Sequence, residues 1–227
     1  MAGPDDAILA GGGAGADAFA RSAPRDGGAI PRAGLRSAIR SLDAFLQRIE
    51  GIREYSTDAR CIFRIAPGHA ATGLSCPQAG LNLRPGDRIL DLHLWNEHVP
   101  RIAPSGPDFA WAKRLRRRTY RSLRELAVRL STDPALSPVK AVRARSVIAT
   151  AEDRDKMARV FAGIGFRRVS DKRSSGLADG LLRRFNSLWA SALVWTYNPH
   201  CPRRRILSRT CEEFWISRSA FLERFGA

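Results

Sequence analysis

Gly86-Asp-Arg-Ile-Leu-Asp-Leu-His-Leu-Trp-Asn-Glu-His-Val-Pro100 reads as a turn, a strand and the opening of a loop. Side chains of an extended chain point alternately to opposite faces. Leu90, Leu92 and Leu94 therefore share one face, and Asp91, His93 and Trp95 share the other. Three leucines predict the core side, which leaves Asp91 and His93 on a partly polar face. If the extended geometry continues past Trp95, Glu97 joins them while Asn96 and His98 turn inward; a bulge there reverses this last assignment. The run also holds two of the chain's four histidines, which makes it the expected site.

Working outward, the pattern around this strand is mixed. Leu35, Ile39, Leu42, Leu46 and Ile49 recur at helical spacing and predict a core-facing helix over residues 35–50, stopped by Gly51. Residues 61–65 read as a strand closed by Ala66-Pro-Gly68, residues 71–74 as a weaker extended segment, and 76–81 as turn. Three prolines and a glycine make 100–107 a loop. A long basic helix follows from Pro107 to about Leu130, with Asp108 suited to its first turn. Then come a strand over 139–149 with a wetter Arg143/Arg145 face, a helix over 152–162 ended by Gly163–Gly165, and a brief strand over 166–169. A polar loop over 170–176, a helix over 178–193 and a turn over 197–202 follow. Extended segments over 205–208 and 211–216 lead to a terminal helix over 218–225. This order predicts an α+β (α/β-like) fold: one mixed sheet flanked by helices.

The 227 residues fit one globular domain over 31–227 behind a Gly/Ala-rich leader, residues 1–30, expected to be flexible. The glycines at 11–13 are not a phosphate loop, since no Lys-Ser/Thr follows and no strand precedes. The chain carries net charge +16. Such a surface attracts anions, and loosely nucleic acid or acidic lipid. No zinc module, aromatic RNA-binding motif or helix-turn-helix supports a specific nucleic-acid role. Charges interrupt every hydrophobic run, so no transmembrane segment is expected, and without a signal peptide the expected location is the cytoplasm. Cys61, Cys76, Cys201 and Cys211 form no CxxC pair and are expected to be reduced thiols. Cys61 has no evident histidine partner, and no GxSxG elbow is present.

The run Pro85–Pro100 and the terminal Glu212-Glu-Phe-Trp-Ile-Ser-Arg-Ser-Ala-Phe-Leu-Glu-Arg-Phe-Gly226 resemble the uncharacterised bacterial YkoP-like family, over most of residues 35–226. That resemblance implies a domain found alone or fused to polysaccharide deacetylase-like proteins, and it brings no settled reaction. In architecture, segments 88–95, 108–130, 139–149, 152–163 and 166–169 are similar to the closing half of GNAT-fold acyl-CoA N-acyltransferases. Ala158-Arg-Val-Phe-Ala-Gly-Ile-Gly-Phe166 is the sharpest local match. This second resemblance implies acyl-CoA at the start of the long helix. The chain departs from that family at Arg101-Ile-Ala-Pro-Ser-Gly-Pro107, where only Gly106 of the pyrophosphate loop remains.

The expected catalytic group is His93 as general base, with Asp91 tuning it and Glu97 nearby. Trp95, Asn96, His98, Lys113, Arg114 and Arg218 are the expected ligand contacts. Lys113 and Arg114 are favoured because free N–H groups at a helix start add to their charge. Neither a regular strand nor a HExxH helix would bring His93 and His98 together, although a loop could, and no metal is expected. The function these residues predict is binding of a small anionic ligand, with acyl-CoA-dependent N-acyl transfer as the enzymatic version. The alternative is a nonenzymatic basic accessory protein for nucleic acid, acidic membrane or an envelope-polysaccharide partner.

Overall fold

A computed structural model describes residues 32–148, 151–169, 188–189, 192–193, 196–197 and 210–226. The elements are α1 (Arg32–Ile49), β1 (Phe63–His69), β2 (Leu74–Cys76), β3 (Leu81–Leu83), β4 (Arg88–Leu94), α2 (Phe109–Thr132), β5 (Ala141–Ile148), α3 (Ala151–Gly163), β6 (Arg167–Arg168), β7 (Thr210–Ser217) and α4 (Arg218–Phe225). Five strands form one mixed sheet in the order β1-β4-β5-β7-β6, and β2 and β3 form a separate hairpin. Within the sheet β4 and β5 are parallel, while β1 with β4, β5 with β7 and β6 with β7 are antiparallel. This is the expected α+β architecture.

The leucine side of β4 faces inward as the alternation requires. Leu90 and Leu92 join Leu123, Leu126 and Leu130 of α2, Phe214 and Ile216 of β7 and Phe221 and Phe225 of α4 in the main core. Leu94, at the strand end, is half-exposed. The opposite face begins apolar, where Ile89, Ala141 and Trp215 pack beneath Leu81 and Leu83 of the hairpin. It becomes polar further along β4, at Asp91 and His93.

Local chemistry fixes the element ends. Asp108 caps α2 by accepting from the Trp111 N–H at 2.6 Å, and Ser217 caps α4 through the Ala220 N–H at 3.3 Å. Pro107 thus lies just outside α2. Gly165, at φ +92°, turns the chain from α3 into β6; a Cβ there would lie 2.9 Å from Arg224 Cδ and 3.2 Å from Ile216 Cδ1.

Several expectations need correction. The first strand runs over Phe63–His69, straight through the Pro67-Gly68 expected to close it. It is an edge strand, and Ile65 exchanges both backbone bonds with Arg53 on its open side. Pro67, two residues on, points its missing donor the same way, so pairing with β4 loses nothing. The extended segment expected at 71–74 falls instead at Leu74–Cys76 and pairs with Leu81–Leu83 as the β2–β3 hairpin, while the turn expected over 76–81 is the connection, through Pro77–Ala79 and Gly80 at φ +60°. Helix α1 does not bury its leucine stripe: Leu35, Leu42 and Ile49 are exposed, and Asp43 is buried in their place. The layer beneath α1 is the polar side of the sheet, so its polar side chains are the better match. The expectations for residues 1–30, 170–176 and 205–208 lie outside the described residues. So do most of those for 178–193 and 197–202, although 188–189, 192–193 and 196–197 are helical.

Candidate functional site

Extended geometry ends at Leu94, and Asn96–His98 form a single helical turn. The alternation that would have carried Glu97 onto the Asp91/His93 face therefore stops short. His98 turns back: its Nδ1 donates to the Cys61 carbonyl at 2.8 Å, and its ring stacks on Trp95 at 3.7 Å. Arg118 Nη1 donates to the His98 carbonyl at 2.6 Å. The buried Ser122 hydroxyl accepts from the Ile62 N–H at 3.0 Å, and the Trp95 N–H donates to the Ile62 carbonyl. These bonds fix the 95–98 segment against α2. The other face of Trp95 carries the Arg64 guanidinium, 4.2 Å from the ring centroid.

Around this segment lies a cavity of about 550 Å³, within the range of small-molecule sites. Arg36, Arg40 and Gln47 reach it from α1, Arg64 from β1, Asn96 and Glu97 from the helical turn, Arg101 from the loop, and Thr196 and Tyr197 from the helical residues beyond α3. Arg64 bridges its walls, donating to Gln47 Oε1 at 2.5 Å and pairing with Glu54 at 3.3 Å. Gln47 in turn donates to the buried Asp43 at 2.8 Å. Burial, reinforced by nearby Glu97 and opposed by Arg64, pushes the Asp43 carboxyl up to about 6. Tyr197 donates to Glu97 Oε1 at 3.1 Å beneath the Arg40 guanidinium; its own phenol is held above the ordinary range by burial and by Glu97.

The polar face of the sheet forms a second, drier cluster. Arg143 holds Asp91 with two bonds, at 2.5 and 2.7 Å, and reaches Glu213 at 3.3 Å while lying 5.2 Å from the Trp215 ring centroid. Arg145 stands 3.6 Å from both carboxylates. Both Asp91 oxygens are thus engaged. His93 pairs in register with Arg64 and is half-buried. Burial lowers its pKa, opposed by Asp91, so the ring is neutral at pH 7 and able to accept a proton.

The expected site residues divide into groups. Asn96 and Glu97 line the cavity, and Trp95 backs its Arg64 wall. Asp91 and His93 are not among the cavity's described lining. Lys113 and Arg114 border a separate recess on the outer side of α2, with Arg117 and Tyr120. Arg218 donates to the carbonyls of Leu130, Leu136 and Ser137, holding the end of α2. Arg36, Arg40 and Tyr197 carry no distinguishing motif. Their only sequence signal is the four-residue step between the two arginines, which puts both on one side of α1. Among the described residues no three His, Cys, Asp or Glu side chains converge on a point that could hold a metal. No helix among them is long and apolar enough to cross a membrane.

Neither the curated proteins nor the solved structures contain a match to the chain. The family model described as YkoP domain matches residues 32–225, which spans every described element from α1 to α4. The chain belongs to the YkoP domain family.

Proposed function

We propose that the protein binds a small anionic organic molecule in the cavity between α1 and the 96–102 segment. The observation that carries this reading is the lining itself: four guanidinium groups, from Arg36, Arg40, Arg64 and Arg101, face a space in which Glu97 is the one carboxylate among the described lining. Guanidinium groups bind phosphate and carboxylate through paired charge-assisted bonds. Arg64 is held in place by Gln47, Glu54 and Trp95, so part of the ordering cost is met before a ligand arrives.

Calorimetric titration with inorganic pyrophosphate and with citrate tests the reading. Each is expected to bind, and Arg40→Ala combined with Arg101→Ala to weaken binding about tenfold or more, the order of one charged hydrogen bond. No heat and no thermal stabilisation up to roughly 10 mM, where binding is worth only about 3 kcal/mol, removes the site. A protein that instead binds nucleic acid or anionic vesicles while ignoring both probes favours the accessory role.

A second reading, acyl transfer from acyl-CoA to an amine, has one specific support. The parallel β4–β5 ladder ends at Leu92–Ala144, while β4 continues to Leu94 and β5 to Ile148. An amide-bearing arm would have to pair with the strand edges beyond Leu92 and Ala144, near His93, whose neutral ring suits a proton acceptor. Acetyl-CoA and longer acyl-CoAs are the probes: saturable binding that survives the Arg40/Arg101 double change favours this reading. Absence of heat across the series ends it.

A further inference from the structure

Glu97 is an anomaly in its surroundings. It lines the same cavity as four guanidinium groups, yet among the described residues it forms no salt bridge. Its one hydrogen-bond partner there is the Tyr197 hydroxyl, bonded to Oε1 at 3.1 Å. A carboxylate whose only task was to offset cavity charge would be expected to pair with an arginine. Tyr197, held under Arg40, instead keeps Oε1 occupied and leaves Oε2 without a donor among the described residues. Beside it, the Asn96 amide also faces the cavity.

We infer that the ligand is bifunctional: an anionic group meets the arginines while hydroxyl groups, at least one of them a donor, meet Glu97 and Asn96. This rests on the anion-site reading above and narrows it to anionic polyhydroxy compounds, such as a phosphorylated sugar or polyol. The donor is a neutral hydroxyl rather than an ammonium, because a cation placed at Glu97 would also sit among four guanidinium charges. A nucleotide fits less well, because the aromatic surfaces are already used. Trp95 lies between Arg64 and His98, and Tyr197 lies beneath Arg40. The described lining leaves no free ring on which a base would stack. Glu97 is therefore the specificity-determining residue, separating polyhydroxy anions from simple ones.

The test is calorimetric titration of the whole chain with glucose 6-phosphate, glucosamine 6-phosphate, glycerol 3-phosphate, inorganic phosphate and AMP, repeated with Glu97→Gln. Glucose 6-phosphate or glycerol 3-phosphate is expected to bind roughly tenfold or more tighter than inorganic phosphate, the order of one hydrogen bond to a charged acceptor. Glucosamine 6-phosphate is expected to show no further gain over glucose 6-phosphate. In Glu97→Gln the advantage over phosphate is expected to fall to about threefold or less, while phosphate itself binds as well or better because a negative charge has gone. Glu97 is exposed, so the variant is expected to fold, and an unchanged melting curve checks that. If every phosphate binds alike, the hydroxyl proposal is overturned and the anion site stands; if AMP binds best, the restriction to sugar and polyol phosphates is overturned. If Glu97→Gln keeps the full advantage, Glu97 is not the contact and the proposal is overturned too. If none of the five binds, the anion site itself falls.

Discussion

Arg143→Ala is expected to destabilise the fold by about 3 kcal/mol, the lower end of what removing one partner of a buried ion pair costs. The alanine would leave the Asp91 and Glu213 carboxylates facing each other on the covered side of the sheet, without the guanidinium that binds both. Arg145 limits the damage, since its half-exposed guanidinium already stands 3.6 Å from each. Changing Arg143 and Arg145 together should therefore approach the upper end, about 5 kcal/mol. Urea unfolding of the two variants measures this. A midpoint within error of the parent for the double change would mean that the cluster is solvated rather than buried. Replacing Arg143, Asp91 and Glu213 jointly by apolar side chains of similar volume should cost far less than Arg143→Ala, because no orphaned charge remains.

The cluster was half legible in the sequence. Period-two alternation in β4 set Asp91 and His93 opposite the leucines, and the same rule in β5 set Arg143 and Arg145 on one face. What alternation cannot supply is register between strands. The pairing of Asp91 with Arg143, and of Arg145 with Glu213, comes from the parallel β4–β5 and antiparallel β5–β7 ladders. An acid beside an imidazole therefore looked like a tuned catalytic pair, whereas both oxygens of that acid are taken by an arginine 52 residues away. The helical turn at 96–98 was missed for a related reason. Its cause is long-range: the Cys61 carbonyl and the end of β1 capture His98 and Trp95.

The cavity was less legible still. Its arginines come from positions 36, 40, 64 and 101, and its phenol from 197. In a chain with 38 lysines and arginines, Arg36, Arg40 and Arg101 do not stand out against the rest. Helix α1 misled in a specific way. Its apolar residues recur at helical spacing, which ordinarily marks a buried stripe. The surface beneath it is polar, however, so Arg36, Arg40, Asp43 and Gln47 turn toward the protein, and Phe45 and Ile49 are among the exposed residues. Asn96 and Glu97 entered the expected set because they adjoin a strand whose reading was secure, and they are the part of that set that lines the arginine cavity.

Asp43 gives the second large effect, and its sign follows from linkage. Its carboxyl is raised from 3.8 to about 6 in the folded protein, first by burial and next by Glu97, with Glu50 adding a little and Arg64 and the Gln47 amide opposing. The folded state thus holds this proton more tightly than the unfolded chain. The stability it contributes is complete below about pH 4, declines as pH rises through 6, and is gone above that. Asp43→Asn preserves the shape of the side chain and never ionises. The variant is therefore expected to match the parent near pH 4 and to exceed it at pH 8 by about 2 kcal/mol. A tenfold change in proton affinity is worth about 1.36 kcal/mol, and solvent reaching the cavity screens part of the total. His93 pulls the other way in the parent: burial depresses its pKa, so its contribution is present above the unfolded value and lost as pH falls. That effect is common to both proteins and cancels in their difference. Thermal melts of parent and variant from pH 4 to 8 give the difference directly. Two curves that stay parallel across pH 4–7 would show that Asp43 ionises freely, and that its place behind Gln47 is wet rather than buried.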